Sequence, residues 1–263
     1  MIKIAKILMD RNCLLFVFGL LNLSAAIVFM FFTKFSDASV AGTHNFLKPL
    51  KFAVSIAVFS WTMGWYTFEL KAHEAVTIYS WAVVITLGFE IVYITIQGAR
   101  GQMSHFNTST PFYAGMTILM GIVAAVLTLW TLYMAILFFT GEVRPMPDYY
   151  LWAIRCGIVL FAIFAFEGAL MGARFSHSVG QIQDDNGLPF VQWSTRIGDL
   201  RVAHFIGMHA LQVIPVFSWY FLKNTKATLI LAFVYALLAT FTFVQAMRGK
   251  PVFRLPYKSI THN

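Results

Sequence analysis

Residues 201–219 read R-V-A-H-F-I-G-M-H-A-L-Q-V-I-P-V-F-S-W. This stretch has the apolar content of a membrane-spanning helix, yet it carries His204, His209 and Gln212 and contains Pro215. A polar group without a partner in hydrocarbon is strongly destabilising. We therefore expect a membrane helix whose polar side chains face partners or a cavity, and this helix is the first place to look for function.

The whole chain has the composition of a membrane protein. Of its 263 residues, 59% are hydrophobic, only 11% are charged and 27 are phenylalanine. A soluble core could not bury so much apolar surface, and a helix needs about 20 residues to cross a bilayer. The long apolar runs predict one all-α domain over residues 1–263, a polytopic helical membrane protein with about seven transmembrane helices in antiparallel hairpins. The predicted spans are residues 13–33, 47–68, 75–98, 112–140, 150–173, 202–222 and 225–247.

Charge and cysteine content exclude other classes of protein. The net charge of +8 does not indicate nucleic-acid binding, because the basic residues are scattered singly at helix ends, where they anchor a membrane protein in lipid headgroups. They lie on both sides of the membrane, so the orientation stays open. Cys13 and Cys156 lie in or beside apolar runs without a C-x-x-C pair, and they indicate no redox or metal centre.

Antiparallel helices sort the polar residues onto two membrane faces. We define face A as the face at which the first, third, fifth and seventh predicted spans end. Histidines at positions 44, 105, 177 and 204 fall at or near this face. The long polar loop, residues 176–199, also belongs to it, and long loops in compact proteins are often functional. We therefore expect the functional site to be reached from face A.

Four polar residues are predicted to reach a similar depth from face A. A rise of about 1.5 Å per residue from the interfacial arginines puts Glu90 at ~15 Å, Glu167 at ~10 Å, His209 at ~12 Å and Gln212 at ~16 Å. This predicts a polar pocket inside the bundle that handles protons, binds a substrate or helps to hold a metal. The alternative is that each residue is a hydrogen-bonded tie between helices.

The histidines are candidate ligands for haem or a transition metal. The candidates are His105, His177, His204 and His209, and the alternative for each is an ordinary hydrogen-bonded residue. His204 and His209 are five residues apart, so they diverge by about 140° on a regular helix and cannot easily share one small ion. No H-E-x-x-H or C-x-x-C-H motif supports a particular metal.

Arginines at the helix ends are candidate ligands for an anionic group. Arg100, Arg174 and Arg201 can bind a phosphate, a carboxylate or a haem propionate through forked hydrogen bonds. The alternative is contact with lipid phosphates. Two of them stand in similar helix ends, Q-G-A-R-G-Q at residues 97–102 and M-G-A-R-F-S at residues 171–176, and Q-A-M-R-G follows at residues 245–249. These ends predict a weak internal repeat of helical hairpins.

Two segments carry a resemblance to other proteins. Residues 97–112, Q-G-A-R-G-Q-M-S-H-F-N-T-S-T-P-F, and residues 198–212, G-D-L-R-V-A-H-F-I-G-M-H-A-L-Q, resemble a group of uncharacterised bacterial multi-spanning membrane proteins. The resemblance implies a multi-pass protein of the bacterial inner membrane. It implies no activity, cofactor or catalytic residue.

Three hypotheses of function follow from the sequence. The first is a helical bundle that holds haem or a metal ion near face A and works in electron or proton transfer, with the lipid bilayer as its surroundings and a small molecule, an ion or a quinone as its ligand. The second is a transporter or channel for a small anion or for protons, which the expected helix break at Pro215 and the repeat favour. The third is an accessory subunit whose polar residues only tie helices together.

Overall fold

The structure is a computed structural model that describes residues 2–35, 39–40, 43–180 and 187–254. Within these residues the regular secondary structure is helical apart from two short antiparallel strand pairs, in which β1 (Ser39–Val40) pairs with β2 (Thr43–His44) and β3 (Ser178–Val179) pairs with β4 (Gly198–Asp199). Part of the predicted polar loop, residues 181–186, lies outside the described residues. The helices are α1 Ile2–Arg11, α2 Cys13–Phe35, α3 Leu47–Thr67, α4 His73–Ala99, α5 Pro111–Thr140, α6 Asp148–Ala173, α7 Leu200–Phe217, its π-helical extension Ser218–Leu222, and α8 Thr225–Met247.

Six helices in the described part of the chain are long and apolar enough to cross a membrane: α2, α4, α5, α6, α7 with its extension, and α8. These are the helices of a multi-pass membrane protein. Helix α3 occupies the position of the second predicted span but is not among the six, so seven spans are not confirmed. About half of its residues are buried by protein. A helix with that much protein contact needs less apolar surface toward lipid than its neighbours do.

Helix α1 was not predicted, because it is a short helix of alternating apolar and basic residues and not an apolar run. The structure attaches it to α3. Leu8 is buried beside Gly64, and Arg11 forms an ion pair with Glu69 at 2.6 Å and lies over the Trp65 ring at 4.1 Å from its centroid. These contacts hold α1 at the face opposite to face A, which we call face B.

The main core lies around α3. Its buried side chains come from α2 through α7 and include Phe59, Met63, Tyr79 and Phe138. Helices α6 and α7 approach each other closely because glycine stands at their contact. A Cβ on Gly207 would lie 2.0 Å from Cγ of Phe164. Small residues of this kind let membrane helices pack backbone to backbone.

Helix α7 is not broken at Pro215, contrary to the expectation from sequence. It continues to Phe217 and then passes into one turn of π-helix. Proline has no N–H to donate to the carbonyl four residues earlier, which is that of Leu211. The hydroxyl of Tyr66 on α3 donates to this carbonyl oxygen at 3.0 Å. Because a side chain of α3 supplies the missing donor, α7 remains helical through Pro215.

Helices α4, α6 and α8 end at face A with the same cap. In each, the N–H two residues after the terminal arginine bonds to a carbonyl five residues earlier, and the residue between has a left-handed conformation. The bonds run from Gln102 to Gln97, Ser176 to Met171 and Lys250 to Gln245, and the left-handed residues are Gly101, Phe175 and Gly249. The three similar sequence segments thus form three copies of one helix cap. A repeat of whole hairpins stays a prediction.

Candidate functional site

Face A brings the first turns of α3 and α7 together with the loops at residues 100–110 and 187–199. The side-chain amide of Asn45 donates to the carbonyl of Gly98 at the end of α4, at 2.9 Å. The N–H of Leu200, at the start of α7, donates to the carbonyl of His177 at 2.9 Å. The end of α4 and the chain just after α6 therefore lie against the starts of α3 and α7. The polar side chains gathered between them form the candidate site.

Lys48, in the first turn of α3, is paired with a histidine of the 100–110 loop. Its Nζ lies 2.9 Å from Nδ1 of His105, and Oγ of Ser104 lies 3.1 Å from the same nitrogen. Burial and the charge of Lys48 hold the pKa of His105 well below its usual 6.5. The ring is therefore neutral at pH 7, and its Nδ1 accepts a hydrogen bond from the amine of Lys48, whose own pKa is lowered from 10.5 to about 7 by burial and by the charge of Lys51. Glu90 of α4 interacts electrostatically with Lys48, with no ion pair between them.

Asp199 and Arg201 form a closed ion pair at the start of α7. Arg201 donates from Nε to Oδ1 at 2.9 Å and from Nη2 to Oδ2 at 2.6 Å, and the N–H of Ser194 donates to Oδ2 at 2.9 Å. Burial alone would raise the pKa of Asp199, but Arg201 outweighs it and holds that pKa below its usual value. Oδ1 lies 3.8 Å from Nδ1 of His177, whose pKa is lowered to about 4 by burial and by Arg201. The aspartate is thus ionised and the histidine neutral at pH 7.

Lys51 lies one turn after Lys48, and its ammonium group contacts the loop that follows residue 186. Its Nζ donates to the carbonyl of Phe190 and to Oε1 of Gln192, both at 3.2 Å. Arg201 donates from Nη2 to the backbone carbonyl of Gln192. Two cations therefore bind the same short turn of chain, and the acceptors that the turn offers them are neutral oxygens.

The cations of face A fall into two groups according to the helix ends that they occupy. Arg100 and Arg174 cap the C-termini of α4 and α6, where the negative end of the helix dipole favours a cation. Lys48 and Arg201 lie in the first turns of α3 and α7, where the positive end of the dipole opposes a cation, and Lys51 follows one turn after Lys48. The predicted ring of arginines is therefore divided. Arg201 belongs to the electropositive group, while Arg100 and Arg174 are exposed helix caps.

The four residues predicted to line one pocket have separate contacts. Glu90 on α4 and Glu167 on α6 are both buried, and among the described residues neither carboxylate oxygen of Glu167 has a hydrogen-bond partner. Gln212 donates from Nε2 to Oγ1 of Thr62 on α3 at 3.2 Å. In the described part of the chain, no hydrogen bond joins any two of Glu90, Glu167, His209 and Gln212. A shared proton or substrate pocket stays a prediction.

His204 and His209 are oriented by backbone carbonyls. Nδ1 of His204 lies 2.7 Å from the carbonyl oxygen of Phe164 on α6, and Nδ1 of His209 lies 2.7 Å from that of Phe205. A carbonyl oxygen only accepts, so Nδ1 carries the proton in both rings and Nε2 of the neutral ring is an acceptor. Within residues 2–35, 39–40, 43–180 and 187–254, no group of three or more His, Cys, Asp or Glu side chains is arranged to hold a metal ion.

Sequence reasoning did not single out Lys48, Lys51, Asp199 or Gln192 as site residues. A signal for the two lysines is present in the segment K-P-L-K, residues 48–51, where two cations three residues apart share one face at the very start of a helix. Asp199 was recognised only as a helix cap, which it is: it accepts from the N–H of Arg201 at 3.0 Å. No feature of the sequence indicated that Gln192 would fold back onto α3 and α7.

No protein family model, curated protein or solved structure matches this chain.

Proposed function

We propose that this multi-pass membrane protein binds a small anion at face A, between Lys48, Lys51 and Arg201. One observation carries the proposal. These three cations stand together at the positive ends of two helices, and within the described residues the acids that act on them are Asp199, already engaged by Arg201, and Glu90, which forms no ion pair there. A helix start with cations on it is an electropositive anion site.

The unused hydrogen-bonding capacity of the lysines supports the proposal. An ammonium group has three donors, and within the described residues the bonds of Lys48 and Lys51 go to a neutral ring nitrogen and to neutral oxygens. An ammonium donor already strengthens a hydrogen bond to a neutral acceptor, and an anionic acceptor adds the Coulomb attraction between opposite charges. An anion therefore gains more from these donors than their present partners do, and it also relieves the repulsion among the three cations.

The ligand class follows from the donors. Lys48 and Lys51 act as point charges, and the guanidinium of Arg201 is largely committed to Asp199. The site therefore suits a compact oxyanion, such as phosphate, sulfate or a small carboxylate. Transport of such an anion across the membrane, the second hypothesis from sequence, would extend this function. Flux of the bound anion into liposomes that contain the purified protein is its test.

Isothermal titration of purified protein in nanodiscs with inorganic phosphate, sulfate and acetate tests anion binding. We expect saturable binding of at least one of them, weakened about tenfold or more in Lys48→Gln and Lys51→Gln, because each loses one charge-assisted hydrogen bond. The matched control is Arg174→Gln, which removes an exposed cation from the same face. Absence of saturable binding by any of the three anions, or equal weakening in the control, would overturn the proposal.

Haem or metal binding with electron or proton transfer is the second candidate function. The favouring observation is the orientation of His204 and His209, whose Nδ1–H groups are fixed by carbonyls so that Nε2 is left as the acceptor, as in metal-ligating histidines. An absorption spectrum and elemental analysis of the purified protein test it. We expect a Soret band or a stoichiometric transition metal that is lost in His204→Ala. A spectrum without a Soret band, together with no metal, excludes this candidate.

A further inference from the structure

We propose that the turn at residues 188–193 is a gate over the anion site: in the absence of an anion its neutral oxygens occupy Lys51 and Arg201, and an anion that binds these cations releases the turn. This inference rests on the proposed anion binding and adds its regulation. The turn lies in the described part of the loop and makes the direct contacts that a gate requires.

The contacts between the turn and the site come from backbone and side-chain oxygens. Lys51 binds the carbonyl of Phe190 and the side-chain oxygen of Gln192, and Arg201 binds the backbone carbonyl of Gln192. The same cations are two of the three that we assign to the anion. An oxyanion and the turn therefore compete for the same donors, and both cannot be fully bound at once.

The turn is closed on itself and can therefore move as a unit. Leu188 donates its N–H to the carbonyl of Trp193, and Gln192 donates to that of Leu188, both at 2.8 Å. Phe190 and Gln192 have left-handed φ angles of 64° and 59°, a conformation that is unfavourable for residues with a side chain. Contacts outside the turn hold this conformation, and those with Lys51 and Arg201 are among them. Loss of these contacts favours relaxation of the turn.

The chain that follows the turn is held in place by hydrogen bonds. A hinge is therefore expected at the end of the turn. Oγ of Ser194 accepts from the N–H of Ile197 at 3.0 Å, and the N–H of Ser194 donates to Asp199. Trp193, the last residue of the turn, packs edge-on against Phe205 of α7 with ring centroids 5.4 Å apart. Release of the turn therefore also breaks the contact between Trp193 and Phe205, and the hinge lies at the step from Trp193 to Ser194, where the segment held by hydrogen bonds begins.

Competition predicts that weakening the turn tightens anion binding. In Gln192→Ala the side-chain oxygen that binds Lys51 is gone, while the backbone carbonyl that binds Arg201 remains. We expect phosphate or sulfate to bind about threefold to tenfold more tightly to this variant than to the natural chain, the factor equivalent to one net hydrogen bond. A variant with tighter binding cannot be explained by misfolding.

A fluorescent label on the turn tests its release directly. Phe190 is an exposed side chain whose backbone carbonyl survives substitution, so Phe190→Cys in a Cys13→Ala, Cys156→Ala background accepts an environment-sensitive dye. We expect the emission to change with added phosphate or sulfate at the half-saturation concentration found by calorimetry. In the same background Met103→Cys, exposed on another loop of face A, is the control and should stay constant.

The outcomes separate the gate from the site. If calorimetry shows anion binding while the label on residue 190 stays constant and Gln192→Ala binds no more tightly, the gate is refuted and anion binding stands. If no anion binds, both inferences fail. An equal response of the labels at residues 190 and 103 also refutes the gate, because it reports a general change of face A and not release of the turn.

Discussion

Removal of one hydroxyl group, in Tyr66→Phe, is expected to destabilise the protein by about 2 kcal/mol, because it leaves a buried carbonyl without a donor. Tyr66 is 4% exposed and Leu211 is fully buried, so water does not replace the lost bond of 3.0 Å. The helix itself cannot replace it either, because the residue four positions after Leu211 is Pro215. The change removes no carbon atoms, so no cavity larger than one oxygen atom contributes to the effect.

Tyr235→Phe is the matched control. The hydroxyl of Tyr235 on α8 donates to the carbonyl of Ile206 on α7 at 2.7 Å. That carbonyl lies inside the regular helix and also accepts from the N–H of Ala210. The control therefore loses a hydrogen bond but leaves no carbonyl without a donor. We expect its free energy of unfolding to fall by about 0.6 kcal/mol, the average for interhelical hydrogen bonds in membranes.

A double-mutant cycle isolates the role of the proline. In a Pro215→Ala background, residue 215 has an N–H that can donate to Leu211, so Tyr66→Phe should lose only about 0.6 kcal/mol there. The four proteins are compared by denaturant titration in mixed micelles, with the free energy of unfolding as the readout. Equal losses for Tyr66→Phe with proline or alanine at position 215 would refute the account, as would a loss no larger than that of Tyr235→Phe.

Four further substitutions probe other parts of the structure. Phe175→Gly is expected to raise the free energy of unfolding by about 1 kcal/mol, because Phe175 has a left-handed φ of 49°; an unchanged or lower value contradicts this. Gly207→Ala should lower it by about 1–3 kcal/mol through the clash with Phe164, while Gly121→Ala, which meets open space, should be neutral or stabilising by up to about 1 kcal/mol. The pKa of His177 is lowered from 6.5 to about 4. Between these pH values the imidazole is protonated in the unfolded chain and neutral in the folded protein. Stability is therefore complete above pH 6.5 and declines toward pH 4, and thermal unfolding of His177→Asn should show a flatter profile over that range.

Sequence patterns located the long helices well because apolar runs determine them directly. The spans predicted at residues 13–33 and 150–173, for example, correspond to helices Cys13–Phe35 and Asp148–Ala173. Whether a helix faces lipid or protein is a separate question that composition alone does not answer. Helix α3 shows this, since it lies at a predicted span but is largely covered by its neighbours.

The site was harder to predict than the helices because depth along a helix does not give direction around it. Glu90, Glu167 and Gln212 were expected at similar levels, and the structure gives them different surroundings. Lys48 acts on Glu90, Thr62 binds Gln212, and Glu167 has no hydrogen-bond partner in the part of the chain that the structure describes. These directions depend on how closely the helices pack, and glycines such as Gly207 set that distance. A single sequence does not show which face of each helix is turned inward.

The partial charge at a helix end also gives opposite electrostatic surroundings to arginines that look alike in the sequence. Arg100, Arg174 and Arg201 were grouped as one ring of guanidinium groups, yet the first two end helices and the third begins one. Their electrostatic surroundings are therefore opposite. Lys48 and Lys51 join Arg201 only when the fold places the starts of α3 and α7 together.

The hydrogen bonds that hold α7 in the bundle determine which positions of the sequence tolerate substitution. Tyr66, His204 and Tyr235 each bond to a main-chain oxygen on another helix, at residues Leu211, Phe164 and Ile206. Every residue has a main-chain oxygen, so this acceptor is present whatever side chain stands at the position. Substitutions on the accepting side are thus limited only by packing, whereas the donating side chains have few chemical substitutes. Deep mutational scanning should therefore find Tyr66 and His204 intolerant, Tyr235 tolerant of phenylalanine, and position 206, which is only partly buried, permissive.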